Sequence, residues 1–257
     1  MSERESTVKT LAVAAGVALV CSLLVSTAVY WLRPIQLASG GIERNRAILD
    51  AAGLADSTET LPDREVLDRF GEFDPEIVDL ASGRLVERAA PSYDYRGALD
   101  DPAQTVAIPA DADIAGLGSR PRTMPVYILR RGRQIERIVL PVYGRGMWST
   151  IHGFIGLEGD LATIAGVRFY ELGETPGIGD RIQDPAWTAK WRGKRIYAED
   201  GTLRFRIGRA DAAGADFRVD AITGATVTVT AVDRFVRYWL GPDGYAPLLE
   251  RLRGEGG

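Results

Sequence analysis

The segment with the most evident chemical potential is Asp220-Ala221-Ile222-Thr223-Gly224-Ala225-Thr226. It stands just before an apolar pattern of helical spacing that ends at Trp239, which predicts small and hydroxyl residues at a helix start. Backbone N–H groups at a helix start have no partner within the helix and favour anions. Gly224 permits a ligand to approach the backbone closely, and the Thr226 hydroxyl can be esterified. The segment is therefore one candidate site for phosphate.

Two structural alternatives remain open for the same segment. Thr223 has the type of side chain that caps a helix. Residues 226–230 alternate threonine with valine, which is also the pattern of a strand. The local pattern by itself does not decide between anion binding, capping and packing.

Other candidate ligand-binding residues come earlier in the chain. Within Gly144–Trp148, Arg145 could contact a phosphate or carboxylate and Trp148 could stack on a ring. Lys194 could bind an anion or be solvated. A glycine-rich loop follows a predicted strand and would let a flat ligand approach the backbone. That loop comprises Glu174, Thr175, Pro176, Gly177, Ile178 and Gly179. Each of these segments is also consistent with an ordinary turn.

The segment from Asp220 to Thr226 resembles the flavinylation motif D-x-x-[S/T]-G-A-T of the FMN-binding domain family. In that family the last threonine carries FMN through a phosphoester bond, and a flavin transferase attaches it using FAD and Mg²⁺. The resemblance implies covalent FMN on Thr226. It also implies that Asp220, Thr223, Gly224 and Ala225 are the remaining motif positions, with threonine at 223 where serine is common.

Further segments are similar, in the same order, to the C subunits of Na⁺-translocating NADH:quinone reductases. They are Arg33-Pro34-Ile35-Gln36, Asn45–Leu49, Gly144–Trp148, His152-Gly153-Phe154, Glu174–Gly179, Pro185–Lys194 and Tyr238–Gly241. Ile178 stands where leucine is common. Residues 89–122 contain no motif of the family.

The resemblance implies an electron-transfer subunit without catalytic residues of its own, whose partners are the other subunits of the complex. It places the 174–179 loop near the flavin, together with Arg145, Trp148 and Lys194. Two alternatives remain open. One is the flavin-carrying subunit of the related Rnf complex, and the other is a membrane-anchored, non-redox binding or assembly module.

Composition excludes several classes of site. The single cysteine, Cys21, and the single histidine, His152, cannot form an internal disulfide, a zinc site or an iron–sulfur cluster within this chain. We therefore expect no metal site. The formal net charge of −4 gives no electrostatic reason to expect nucleic-acid binding.

The N-terminal region predicts a membrane anchor. Residues 1–9 form a short tail, and Thr10 to Leu32 contains no charged residue. Its 23 residues give about 34 Å of helix, enough to cross the hydrocarbon core in contact with lipid. A cleaved signal peptide with its site at Ser26-Thr27-Ala28 remains the alternative. Arginine and lysine counts do not settle orientation. We expect a single-pass protein of the bacterial inner membrane with residues 33–257 outside the cytoplasm.

Those remaining residues predict one α+β domain with antiparallel strands and an FMN-binding core over about 124–257. Helices are expected at 42–54, 61–70 and 246–253, and before Gly241-Pro242. Residues 89–122 are expected to be irregular. Hairpins are expected at 76–88, at 126–130 with 134–142, at 152–158 with 163–171, and at 195–198 with 203–207.

Overall fold

The computed structural model describes residues 7–55, 61–86, 93, 95–208 and 214–255, with side chains except at 7, 8, 28, 30 and 32–39. It contains two compact units, Met1–Glu43 and Arg44–Gly257.

A long helix, α1 (Thr7–Ala51), makes up most of the first unit. Its stretch Lys9–Thr27 is apolar and long enough to cross a membrane. Apolar side chains along this stretch, such as Leu11 and Leu24, are exposed. Membrane insertion over Thr10–Leu32 stays a prediction.

The expectation of a separate helix at 42–54 is wrong, because α1 continues through Pro34 to Ala51. A proline removes one helical hydrogen bond, and the turns on either side can remain helical. The helix ends two residues before Gly53. Gly53 has a φ of +71°, a left-handed conformation that favours glycine and stops a helix.

The second unit combines short helices with antiparallel strands, so the expected α+β class is confirmed. Its strands are β1 (Phe73–Asp79), β2 (Arg84–Val86), β3 (Thr105–Ala107), β4 (Ser119–Pro121), β5 (Thr123–Arg131), β6 (Gln134–Arg145), β7 (Thr150–Glu158), β8 (Ile164–Glu171), β9 (Arg206–Ile207) and β10 (Arg218–Val219). Its further helices are α2 (Asp63–Phe70), α3 (Tyr95–Leu99), α4 (Pro185–Thr188), α5 (Thr226–Trp239) and α6 (Ala246–Glu255). 3-10 turns lie at Gly179–Gln183, Ala189–Trp191 and Ala215–Phe217.

The main sheet has six antiparallel strands in the order β2-β1-β5-β6-β7-β8. Three of the four expected hairpins are confirmed within it. Strands β6 and β7 pair until Arg145 lies opposite Thr150. A turn then closes with the Gly146 N–H donating to the Ser149 carbonyl at 2.8 Å. The sheet therefore presents the Gly144–Trp148 segment at the end of two long strands.

One face of the sheet is covered by α5. A Cβ at Gly144 of β6 would lie 2.3 Å from the Phe235 side chain, so α5 approaches the strand as closely as a glycine allows. The Trp239 indole donates to the Tyr143 carbonyl at 2.7 Å. These contacts fix the position of α5, and with it the position of Thr226.

The last turn of α1 and helix α2 cover the other face. A Cβ at Gly156 of β7 would lie 2.1 Å from the Ala51 carbonyl oxygen. On β5, Tyr127 contacts Phe70 of α2, with ring centroids 5.9 Å apart. Side chains of a strand alternate between faces, so both faces of the central strands are buried and the sheet is a rigid support.

Two further expectations are corrected. The turn at Asp200-Gly201 forms, but Tyr197 and Leu203 make only an isolated bridge, and β9 pairs instead in parallel with β10. Backbone groups of β9 are engaged elsewhere, since the Ile207 N–H donates to Asp233 Oδ1 at 2.7 Å. The expected irregular stretch contains α3 and the β3–β4 pair. Residues 87–92 and 94 of the expected segments lie outside the described residues.

Candidate functional site

Thr226 is the first residue of α5 and its side chain is exposed. The strand alternative for 226–230 is therefore wrong. Ala225 occupies the N-cap position, where no side chain accepts a hydrogen bond. The capping alternative for Thr223 is wrong for the same reason. The first-turn N–H groups thus have neither a helical acceptor nor a side-chain cap, and they favour an anion.

The segment before α5 is held by two long side chains. Arg181 donates to the Thr223 carbonyl at 3.3 Å, and the Trp187 indole donates to the Asp220 carbonyl at 2.8 Å. Gly224 has a φ of +88°, and a Cβ there would meet nothing within 4 Å. The left-handed backbone conformation at position 224 favours glycine. The space beside Gly224, next to Thr226, is open.

Glu174 is buried and joins the 174–179 loop to two other segments. Its Oε1 accepts from the Trp148 N–H at 3.1 Å, and its Oε2 accepts from the Met147 N–H at 3.3 Å and from Thr228 Oγ1 at 2.6 Å. Burial raises the pKa of Glu174, but these hydrogen bonds outweigh burial and hold it below the usual range. The residue is therefore a buried carboxylate that fixes the site.

The loop around Glu174 is compact. The Thr175 carbonyl accepts from the N–H groups of Ile178 and Gly179 at 3.1 and 3.0 Å. The Trp148 indole donates to Thr175 Oγ1 at 3.1 Å. A Cβ at Gly179 would lie 2.8 Å from Thr228 Oγ1, so only glycine fits. Pro176 and Gly177 lie in the same loop, where Gly177 has a φ of +74°.

A groove of about 500 Å³ opens beside Thr226. One wall is a face of α5, and the other is the turn at residues 113–116, from the stretch expected to be irregular. Arg145 and Gly146 also line it. The lining residues are Asp113, Ile114, Ala115, Gly116, Arg145, Gly146, Thr226, Val227, Thr230, Ala231 and Arg234.

Several exposed apolar side chains surround the same region. Trp148 is 68% exposed, Val227 58%, and Met147 and Ile178 51% each. Large apolar side chains this exposed are typical of surfaces that meet a ligand or partner.

The remaining predicted residues have other surroundings. Lys194 Nζ donates to the Ala215 carbonyl at 2.7 Å, and Lys194 does not line the groove. The Asp220 carboxylate is exposed and lies 3.5 Å from Arg218 Nε. His152 is buried in β7, with Nδ1 3.0 Å from the Tyr95 hydroxyl. Among the described residues, no group of histidine, cysteine and acidic side chains could hold a metal ion.

Sequence reasoning missed four components of this region. They are the wall at 113–116, Arg181, Thr228 and Arg234. Thr228 and Arg234 lie two and eight positions after Thr226, so helical spacing could have placed Arg234, two turns further along the helix, on the face of α5 that carries Thr226. The wall and Arg181 carry no such signal, because tertiary packing alone brings them to Thr226.

Comparisons with known proteins agree with the motifs. The FMN-binding domain family matches residues 146–241. The C subunit of the Na⁺-translocating NADH-quinone reductase of Pseudomonas aeruginosa is 40% identical, covering 98% of each chain. This chain belongs to that C-subunit family. The Vibrio vulnificus C subunit is 36% identical, covering 100% of this chain and 99% of its own. Among solved structures of the family, NqrC of Shewanella oneidensis matches with a TM-score of 0.75 and 32% identity, over 84% of this chain and 99% of its own.

Membership of the C-subunit family raises the question of whether the residues around Thr226 fit FMN. An exposed hydroxyl at an uncapped helix start suits a phosphoester. The adjoining groove has a volume typical of small-molecule sites. Apolar side chains and guanidinium groups line it together, which suits a flat ring with polar edges. The residues present therefore fit an FMN held at this end of α5.

Proposed function

We propose that this chain is the FMN-carrying electron-transfer subunit of a Na⁺-translocating NADH:ubiquinone reductase, with FMN joined to Thr226 by a phosphoester bond. The observation that carries the proposal is the exposed Thr226 hydroxyl at the uncapped start of α5, beside an open groove. The relatives that match over their full length are C subunits of this reductase, which favours this complex over Rnf.

In this proposal the flavin supplies the redox chemistry, and the protein supplies position and electrostatics. First-turn N–H groups of α5 stabilise the phosphate charge. Glu174 holds the turn at Met147-Trp148 and the side chain of Thr228 in place around Thr226. Arg145 adds positive charge to the groove. Trp148, Thr175 and the rest of the 174–179 loop form the flavin's surroundings, whereas Lys194 would act only from outside the groove.

The same proposal includes how FMN is attached and where in the cell the chain lies. A flavin transferase using FAD and Mg²⁺ would attach the FMN, with the exposed Asp220, Thr223 and Gly224 and the buried Ala225 as its recognition motif. The Thr10–Leu32 segment would anchor the chain in the bacterial inner membrane with the domain outside the cytoplasm. Outside the cytoplasm, lost FMN could not be replaced from the cytoplasmic pool, and a covalent bond prevents that loss. The anchor keeps the flavin at high effective concentration for its partner subunits.

Mass spectrometry tests the attachment. The full chain is produced together with a flavin transferase and digested with trypsin, and the peptide Val219–Arg234 is sequenced. We expect the mass of FMN less water on Thr226, no modification in Thr226→Ala, and retained modification in Thr230→Ala. An unmodified wild-type peptide, from cells that flavinylate another protein, would refute the proposal. Modification at a different hydroxyl would move the attachment site.

A further inference from the structure

Positive charge is concentrated in the segment that precedes the motif. Residues 190–219 contain eight lysines and arginines but four aspartates and glutamates, in a chain whose formal net charge is −4. The segment ends one residue before Asp220. An otherwise acidic protein therefore has a local excess of basic residues directly beside the residues that would be recognised for flavin attachment.

Two of these arginines meet at one aromatic ring. The guanidinium carbons of Arg195 and Arg204 lie 5.7 and 5.9 Å from the centroid of the Phe217 ring. Arg204 is exposed, and Arg195 and Phe217 are half-buried. We refer to these three residues as the Phe217 cluster. Contact with an aromatic ring stabilises a guanidinium and restricts its orientation, so less conformational freedom is lost when it binds a carboxylate.

Backbone hydrogen bonds hold the Phe217 cluster in place. Lys194 Nζ donates to the Ala215 carbonyl at 2.7 Å, and the Arg195 N–H donates to the Asp216 carbonyl at 2.8 Å. The strand that follows, β10, pairs with β9. The turn that carries Phe217 is thus joined to the segment that carries Arg195, and both guanidinium groups are presented from a fixed backbone.

The charges of the cluster are available to a partner. In the part of the chain that the structure describes, neither Arg195 nor Arg204 forms an ion pair, and the pairs of this region involve Arg206 and Arg218 instead. The carboxylates of Asp160 and Asp200, which lie near the cluster, accept hydrogen bonds within their own turns. Both guanidinium groups can therefore bind carboxylates from outside the chain.

The position of the cluster indicates which partner would cover it. Phe217 lies three residues before Asp220, which is at most about 10 Å of extended chain. Arg218, between them in the chain, has its Nε 3.5 Å from Asp220 Oδ1. A protein interface of standard size covers about 800 Å² on each partner, a patch roughly 30 Å across. An enzyme that contacts Asp220 while it acts on Thr226 therefore has room to contact the Phe217 cluster as well.

We propose that the Phe217 cluster is the docking surface for the flavin transferase, which binds Arg195 and Arg204 through acidic side chains. The inference rests on the attachment proposed above and adds to it a partner surface outside the motif. Complementary charge at the edge of an interface accelerates encounter and sets orientation. The cluster touches no reacting atom, so it acts on the KM for the chain and leaves kcat unchanged.

The test measures flavin attachment with purified components. The full-length chain is produced in cells without flavin transferase, purified in detergent, and incubated with purified transferase, FAD and Mg²⁺. Flavin fluorescence of denatured gel bands gives the initial rate at each concentration of the chain, and from these rates kcat and KM.

The variants separate local charge from net charge. Arg195→Glu with Arg204→Glu reverses the charge of the cluster, and Arg204→Lys keeps it. The matched control is Arg84→Glu with Arg133→Glu, at exposed positions on β2 and in the turn between β5 and β6, which changes the net charge equally. Far-ultraviolet circular dichroism and thermal unfolding show that each variant is folded.

In the Arg195→Glu, Arg204→Glu variant we expect the KM for the chain to rise about tenfold at low salt, with kcat unchanged. The difference from wild type should shrink as the salt concentration rises to about 0.3 M, because salt screens exposed charges. Arg204→Lys and the matched control should keep a KM close to that of wild type.

Three results would overturn the inference. One is an equal KM in the cluster variant and the matched control, and another is a lower kcat with unchanged KM, which would indicate a disturbed motif. The third is normal attachment combined with loss of the variant from the purified reductase, which would assign the cluster to another subunit. A wild-type chain that acquires no covalent flavin would instead refute the attachment itself, so the two failures are distinguishable.

Discussion

Thr228 Oγ1 donates a 2.6 Å hydrogen bond to Glu174 Oε2, joining residues 54 positions apart in the chain. The same carboxylate accepts from the N–H groups of Met147 and Trp148. The buried Glu174 side chain therefore connects its own loop, residues 174–179, with the turn at Met147-Trp148 and with the first turn of α5. Because Thr226 lies two residues before Thr228, this connection also fixes where the exposed hydroxyl stands.

Glu174→Ala is expected to reduce the free energy of unfolding by about 2–4 kcal/mol, because it leaves several buried donors without an acceptor. Thr228→Val removes one of these bonds and should cost about 1 kcal/mol. The double variant should cost less than the sum, since the two residues share a hydrogen bond. Chemical denaturation of the detergent-solubilised chain measures all three. Glu250→Ala, at an exposed position of α6, is the control. Additive effects would show that the two side chains are not coupled.

Acid should weaken the hydrogen bonds that the Glu174 carboxylate accepts from Met147, Trp148 and Thr228. The pKa of Glu174 lies below its ordinary value of 4.5, because hydrogen bonds to the carboxylate outweigh burial. Its contribution to stability is therefore complete above about pH 4.5 and is lost as the pH falls through the pKa of the folded state. The difference in unfolding free energy between wild type and Glu174→Gln should shrink below pH 4.5. Thermal unfolding between neutral and acidic pH measures it, and a constant difference would contradict the assignment.

Gly224→Ala tests the backbone at the start of α5. A Cβ meets no atom within 4 Å there, so the cost comes from the φ of +88° alone. We expect a loss of about 1–2 kcal/mol in the free energy of unfolding, and slower flavin attachment because the motif backbone changes. Gly208→Ala is the matched control, because a Cβ there also meets nothing and its φ is ordinary. If Gly224→Ala and Gly208→Ala changed the free energy of unfolding and the rate of flavin attachment equally, the left-handed conformation at Gly224 would have no specific role.

Asp220→Asn should separate recognition from stability. The Asp220 side chain is 66% exposed, and within the described residues its carboxylate pairs with Arg218 alone, so the free energy of unfolding should change by less than about 0.5 kcal/mol. Covalent flavin should nevertheless fall in cells that contain the transferase, because the motif acid is lost. Flavin fluorescence of the denatured gel band measures it, with Asp216→Asn as the control. Unchanged flavin in Asp220→Asn would exclude the proposed recognition role.

Local patterns in the sequence predicted many elements of the fold. The hairpins with turns at Ser82-Gly83, Arg131–Arg133 and Gly159-Asp160 form where glycine and alternating apolar residues indicate them. Helix α5 was expected from its apolar spacing. These elements depend on neighbours in the chain, so the nearby sequence contains the necessary information.

The sequence by itself determined the family, the motif residues and most of these elements. Tertiary structure decided which segments meet at Thr226. The bond between Thr228 and Glu174, the 113–116 wall and the parallel pairing of β9 with β10 join residues distant in the chain. Such contacts arise when the sheet and α5 pack, because the gain from burying both surfaces selects among many arrangements that local patterns leave equivalent.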